Sequence, residues 1–232
     1  MAALVRFLQS TILSKVVMAG TGLVLVLFLL GHMAGNLQMY FGQEKMNVYA
    51  ETLQSLGGLL WVIRAFLLLC LVLHVITSIR LKALNLSARP VPYTIKATVR
   101  ASLTSRTMIW TGALIFFFLA YHLLHFTIRV TNPIYAELID VAGRMDVYTM
   151  VVLGFQDVLI TVTYVISMLL LGFHLFHAIA SMFQTLGVNH PRYTPMIETG
   201  SAVLAGVIVL GFLSIPFGVL FGWIALPAGV IV

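Results

Sequence analysis

Apolar residues in this chain gather in five long blocks separated by polar connections. The blocks run from about 16–38, 59–79, 107–128, 148–183 and 201–223. Each meets the ~20 residues needed to cross a ~30 Å hydrocarbon layer. Helices are the expected form, because a segment in lipid must pair its own amides and carbonyls. A membrane barrel would alternate apolar and polar positions, and none of the blocks does. The predicted fold is therefore all-α: a polytopic membrane protein with a single five-helix domain over residues 1–232. The first block follows Lys15 without a cleavable-leader pattern and reads as a retained helix. The fourth block is unusually long, and Pro216 is expected to kink the fifth helix.

The connections differ in chemistry. Residues 40–57 are polar and have room for a short helix. Residues 80–106 form a basic loop with Arg80, Lys82, Arg89, Lys96, Arg100 and Arg106. Residues 129–147 mix Arg129, Glu137, Asp140, Arg144 and Asp146, and residues 184–200 are turn-rich, with His190, Pro191 and Pro195.

Composition supports a membrane protein. The 232 residues are 61% hydrophobic and 9% charged, and mean hydropathy is +1.06. So little polar surface cannot cover a soluble core. The net charge of +6 lies in loops, which indicates membrane orientation and no nucleic-acid partner. Nine Lys/Arg lie on the side of the N-terminus and the 80–106 and 184–200 loops, against Lys45, Arg64, Arg129 and Arg144 on the other. The positive-inside rule then places the N-terminus in the cytoplasm and the C-terminus outside. The single Cys70 excludes an intramolecular disulfide and a cysteine-rich iron–sulfur site. The absence of Cys-x-x-Cys-His excludes a thioether-linked haem.

Histidines supply the candidate chemistry. Thr21-Gly22 lies ten residues before His32, and Thr111-Gly112 ten residues before His122. His74 and His174 lie on the two helices that run the opposite way. At 1.5 Å per residue, His32 and His122 sit roughly 25 Å from the inner surface, and His74 and His174 roughly 10–15 Å from it. A lone intramembrane histidine is usually a packing residue, but four at two matched depths point to two stacked metal cofactors. Haem with a histidine on each face fits best. Gly22 and Gly112 fall at the inner depth, where a missing side chain admits a flat ligand, although small residues also serve ordinary helix packing. His125 and His177 each follow a candidate by three residues and share its helix face. The repeat favours His122 over His125; depth does not separate His174 from His177.

Other ionisable groups are placed by depth. Arg64 lies near the outer level, where it could meet a haem propionate or snorkel to headgroups. Ser14, Lys15 and Arg106 lie at the inner surface, near inner propionates or lipid phosphates. Glu51, Gln54, Arg129, Asp140 and Asp146 lie on the outer side, and any of them could serve a quinone site that moves protons.

The segments SKVVMAGTGLVLVLFLLGHMAGNLQ (14–38), TGALIFFFLAYH (111–122) and GFHLFHAIASMFQTLGVNHPR (172–192) resemble the cytochrome b subunit of succinate dehydrogenase and fumarate reductase, in its two-haem, single-anchor form. The resemblance extends over nearly the whole chain. It implies two haems b, with His32 and His122 on the outer one and His74 and His174 on the inner. The family pattern sets the fourth ligand thirteen residues before the glycine matching Gly187, which selects His174. It further implies a cytoplasmic-membrane subunit anchoring a flavoprotein and an iron–sulfur protein. Electrons from succinate would pass by flavin, iron–sulfur centres and the haems to a quinone, with menaquinone expected. The basic 80–106 loop suits docking of the iron–sulfur protein. Where relatives carry a glutamate tied to quinone-coupled protons, this chain has Gln54, with Glu51 nearby.

Two other classes fit less well. A bc-type cytochrome b takes ligands in pairs from two helices, whereas here each helix supplies one. A cofactor-free transporter with a histidine relay needs polar groups throughout the depth of the bundle, and no broken helices or inverted repeats are evident.

Overall fold

A computed structural model describes residues 10–88, 91 and 102–227. Seven α-helices are present among them: α1 (Thr11–Asn36), α2 (Gln43–Ser55), α3 (Gly58–Ser87), α4 (Leu103–His122), α5 (Val147–Gln156), α6 (Val158–Thr185) and α7 (Thr194–Leu220). Five segments are long and apolar enough to cross a membrane: α1 with the 3-10 turn after it, α3, α4 with the π turn after it, α6 and α7. No strand occurs among the described residues; one isolated antiparallel bridge joins Ile139 and Met145.

Helix limits follow capping chemistry more than hydropathy. Ser10 caps α1 by accepting from the Leu13 amide at 3.1 Å, so the helix starts five residues before the expected block. Ser102 caps α4 in the same way. The α3 helix runs eight residues past the expected end, through Arg80 and Lys82, because Arg, Leu, Lys and Ala there are good helix formers. The basic connection is correspondingly shorter. Arg89, Lys96 and Arg100 lie outside the described residues. Pro195 lies in the first turn of α7, where its missing amide costs nothing, so the helix begins seven residues before the expected 201. Pro216 lies inside that helix, which continues to Leu220.

The fourth block is not one helix. Asp157 takes an extended conformation (φ −75°, ψ 118°), and its carboxylate accepts from the Leu159 and Ile160 amides. That cap starts α6 and separates it from α5, while the Thr161 hydroxyl donates to the Phe155 carbonyl across the break at 2.7 Å. With ten residues, α5 is too short to span. It is largely buried at the end of the bundle instead, in a core with Met39, Met46, Tyr135, Tyr164 and Ile224.

Antiparallel packing follows from the pairings. Ser14 meets Arg80 and Thr21 meets His74, joining α1 to α3. Thr111 meets His174 and His122 meets Tyr164, joining α4 to α6. The α6–α7 contact holds a second core of Met168, Leu171, Leu175, Ala205, Ile208 and Val209. Trp61 and Trp223 are exposed near the end that carries α2, and Trp110 near the opposite end. Amphipathic rings concentrate at membrane–water interfaces in this manner.

Candidate functional site: two levels of histidines

Near the end opposite α2, each threonine of the repeat meets one histidine. Thr21 Oγ1 lies 3.3 Å from His74 Nδ1, and the Met18 carbonyl lies 3.2 Å from the same nitrogen. Thr111 Oγ1 lies 3.2 Å from His174 Nδ1, and the Met108 backbone hydrogen-bonds the same ring. The Met18 carbonyl only accepts, so His74 Nδ1 carries a proton, and Thr111, whose one proton goes to its own helix, accepts from His174 Nδ1. Each threonine hydroxyl is committed as a donor to its own helix, to Val17 or Met18 and to Thr107 or Met108. In a neutral ring the proton on Nδ1 leaves Nε2 as a lone pair, the form that binds a metal.

The glycines match these rings. A Cβ on Gly22 would meet His74 Cε1 at 3.4 Å, and a Cβ on Gly112 would meet His174 Cε1 at 3.4 Å. The repeat therefore belongs, in space, to the histidines of the facing helices, not to His32 and His122 of its own helices. His177 lies on α6 three residues beyond His174 and is half-buried.

Eleven residues beyond Thr21, about 16 Å along the helix, His32 faces His122 with ring centroids 5.9 Å apart and planes at 82°. Phe28 stacks on His32 at 5.4 Å, and Phe118 lies 6.0 Å from His122. The Asn36 side-chain amide approaches both ring nitrogens of His32 at 3.4 Å. His122 ends α4. A π turn follows from Leu123 to Thr127, closed by the Ile128 amide on the Leu123 carbonyl at 2.7 Å. It buries His125 fully among Tyr121, Phe126, Tyr135 and Tyr164.

Four imidazoles from four helices could each serve as one donor to a metal-centred cofactor. His32 and His122 lie at the level nearer the α2 end, and His74 and His174 at the other, where Gly22 and Gly112 face the two rings. No group of three or more His, Cys, Asp or Glu is arranged for a bare metal ion among the described residues.

The remaining expected residues spread between the two ends. Ser14 is buried and accepts from Arg80 Nη1 at 2.9 Å. Lys15 lines a cavity of about 350 Å³ with Ser181, Gln184 and Thr185. Arg106 is exposed on the first turn of α4. Arg64 is exposed, with its guanidinium 5.0 Å from the Trp61 ring centre. Glu51 and Gln54 lie on α2 and line a second cavity of about 280 Å³ with Asn47, Arg144 and Met145. Arg129 reaches the same wall, with Nη1 2.9 Å from Met145 Sδ. Its Nε is buried without a hydrogen-bond partner, and its φ of 64° is in the left-handed region.

Asp140 and Asp146 are committed elsewhere. Asn47, fully buried, donates to Asp140 at 3.1 Å and to Asp146 at 3.0 Å, and accepts from the Tyr148 amide. Asp146 also caps α5 and accepts from Gln43 at 2.7 Å. Arg144 pairs with Asp140 at 2.8 Å and with Glu44 at 2.5 Å. Burial pushes the Asp140 carboxyl up, but hydrogen bonds from Arg144, Asn47 and Ala142 outweigh it and hold the group below the usual carboxylate range. This network clamps α2 to the 138–147 segment. Asn47, Asp157, Tyr164 and the π turn were not among the expected site residues; only the Asp in an apolar run was a usable signal.

Comparison with protein-family models, curated proteins and solved structures gave no match for this chain.

Proposed function

We propose that the chain is the membrane-anchor cytochrome b subunit of a succinate:quinone oxidoreductase, of the succinate dehydrogenase and fumarate reductase family. The observation that carries this reading is the paired tautomer lock: Thr21 with Met18 on His74, and Thr111 with Met108 on His174. Two helices of like direction present the same hydroxyl, backbone group and glycine to the imidazole of a facing helix. A packing histidine needs no such repetition.

In this reading His32 and His122 hold one haem b, and His74 and His174 the other. A haem at each level supplies one-electron transfer across the bundle. The chain's residues fix ligand orientation, exclude water with Phe28, Phe118 and the α5 layer, and present polar groups at the α2 end. The cytoplasmic side is the end opposite α2, where the basic residues lie, so the histidines near Thr21 and Thr111 form the inner level. The flavoprotein and iron–sulfur subunits dock there, on the 80–106 connection. The quinone, menaquinone in the first instance, binds at the α2 end beside Glu51, Gln54 and Arg129. Glu51 is the group placed to exchange protons with its ring oxygens. The protein is a multi-pass protein of the cytoplasmic membrane.

Reduced-minus-oxidised spectra of the full chain in its complex test the reading. A b-type spectrum with two haems per chain is expected, and a colourless protein overturns it.

A further inference from the structure

We infer that Tyr164 positions His122 for ligation, through a hydrogen-bonded chain whose direction is set by His125. The inference rests on His122 being a haem ligand, as proposed above.

Tyr164 projects from α6 and is 6% exposed. Its ring is fixed by edge contacts with Phe118 at 5.0 Å, Phe155 at 5.1 Å and Phe126 at 5.6 Å. Its hydroxyl lies 3.0 Å from His125 Nδ1 and 3.4 Å from His122 Nδ1. One phenol thus serves two imidazoles three residues apart, which the π turn after His122 brings to the same point.

A phenol has one proton to give. If His125 donated to Tyr164 and Tyr164 donated to His122, a neutral His122 would keep its proton on Nε2 and could not offer that nitrogen to iron. In the opposite direction, His122 Nδ1–H donates to Tyr164, and Tyr164 donates to His125 Nδ1. This order leaves His122 Nε2 free and also uses the tyrosine proton, which has no use if both rings donate to the phenol oxygen. A neutral His125 then carries its proton on Nε2, which is the buried ring nitrogen without a hydrogen-bond partner. With its proton on Nε2, His125 offers Nδ1 as an acceptor and so keeps the tyrosine proton turned away from His122.

His122 therefore differs from His74 and His174. Their partners have no proton to reposition, His74 meeting the Met18 carbonyl and His174 a Thr111 hydroxyl whose proton is held by its own helix, whereas His122 donates to a phenol oxygen. Hydrogen bonding from the far nitrogen raises the basicity of a ligating imidazole and favours the oxidised metal. Removing the phenol should raise the potential of the outer haem and leave the inner haem unchanged.

The test is a redox titration of the assembled complex, followed optically and by electron paramagnetic resonance, for wild type, Tyr164→Phe, His125→Leu and Phe155→Leu. Tyr164→Phe is expected to keep two haems and shift the outer potential upward. His125→Leu is expected to give a smaller shift in the same direction. Phe155→Leu loosens the same ring packing but keeps the hydroxyl, and should leave the potential in place. An unchanged outer potential in Tyr164→Phe overturns the inference, as does an equal shift in Phe155→Leu. If Tyr164→Phe loses the outer haem, His125→Leu decides: an upward shift supports the inference and an unchanged potential overturns it. A wild-type protein without b-type haem overturns the haem reading itself, and this inference with it.

Discussion

The hydroxyl of Thr111 lies 3.2 Å from Nδ1 of His174. The same contact joins Thr21 to His74 at 3.3 Å. Valine at either position keeps the shape and removes the hydroxyl. Loss of a group that orients a ligand typically costs ~10–100-fold in metal affinity. Thr21→Val and Thr111→Val should each loosen the inner haem and spare the outer. Haem retention during dilution in detergent, read at each haem's own band, measures this.

His174 and His177 are separated by the same contact. His174→Ala should remove the inner haem, while His177→Ala should keep both. Haem content per chain in the two variants decides between them.

Gly112 faces the His174 ring with room for little more than one methyl group, since a Cβ would sit 3.4 Å from Cε1. Gly112→Ala should keep the inner haem, and Gly112→Leu should displace the imidazole and lose it. The absorbance spectra of the two variants report the difference.

Asn47→Ala removes three buried hydrogen bonds at once. Leaving buried polar partners unsatisfied costs about 1–3 kcal/mol each. The clamp between α2 and the 138–147 segment should open, which faster amide exchange in 43–55 and 138–149 would show. The clamp is also pH-dependent. Asp140 is held below its ordinary value, so between the folded value and about 4 the unfolded chain binds more protons. The contribution of Asp140 is complete above about pH 4 and is lost as pH falls through its folded value. Exchange in 138–149 should be constant from about pH 5 to 8, after correction for intrinsic rates, and accelerate below about pH 4.

Arg129 holds a left-handed backbone at φ 64°. Glycine adopts that conformation without strain, so Arg129→Gly removes the guanidinium and keeps the turn. Quinone-dependent turnover should fall at least about tenfold, in the range of losing one positioned polar group, with haem content and thermal stability retained. Steady-state kinetics with a soluble quinone analogue measure it.

The spanning segments were legible because hydropathy dictates them: α1, α3, α4 and α7 each overlap an apolar block, and their limits moved where Ser10, Ser102 or Pro195 set the start, or where helix formers carried α3 on to Ser87. The fourth block was misjudged because hydropathy averages over Asp157, whose capping geometry stops one helix and starts the next. The histidine levels could be counted from helix rise. The partner of each Thr-Gly pair could not, because spacing along one helix carries no information about which ring the neighbouring helix presents. Tyr164 was hidden for the same reason: its role depends on a π turn with no composition of its own. In the sequence nothing separates Asp140 and Asp146 from Glu51 as polar groups; in the fold Asn47, a residue without charge, binds both aspartates.

The most direct measurement of the central claim is the haem-to-protein ratio of the intact complex, combined with single-ligand variants. Wild type should hold two haems b per chain, His32→Ala and His122→Ala should each lose the one haem, and His74→Ala and His174→Ala should each lose the other. A colourless wild type, a ratio of one, or a His32→Ala protein that retains both haems would contradict it.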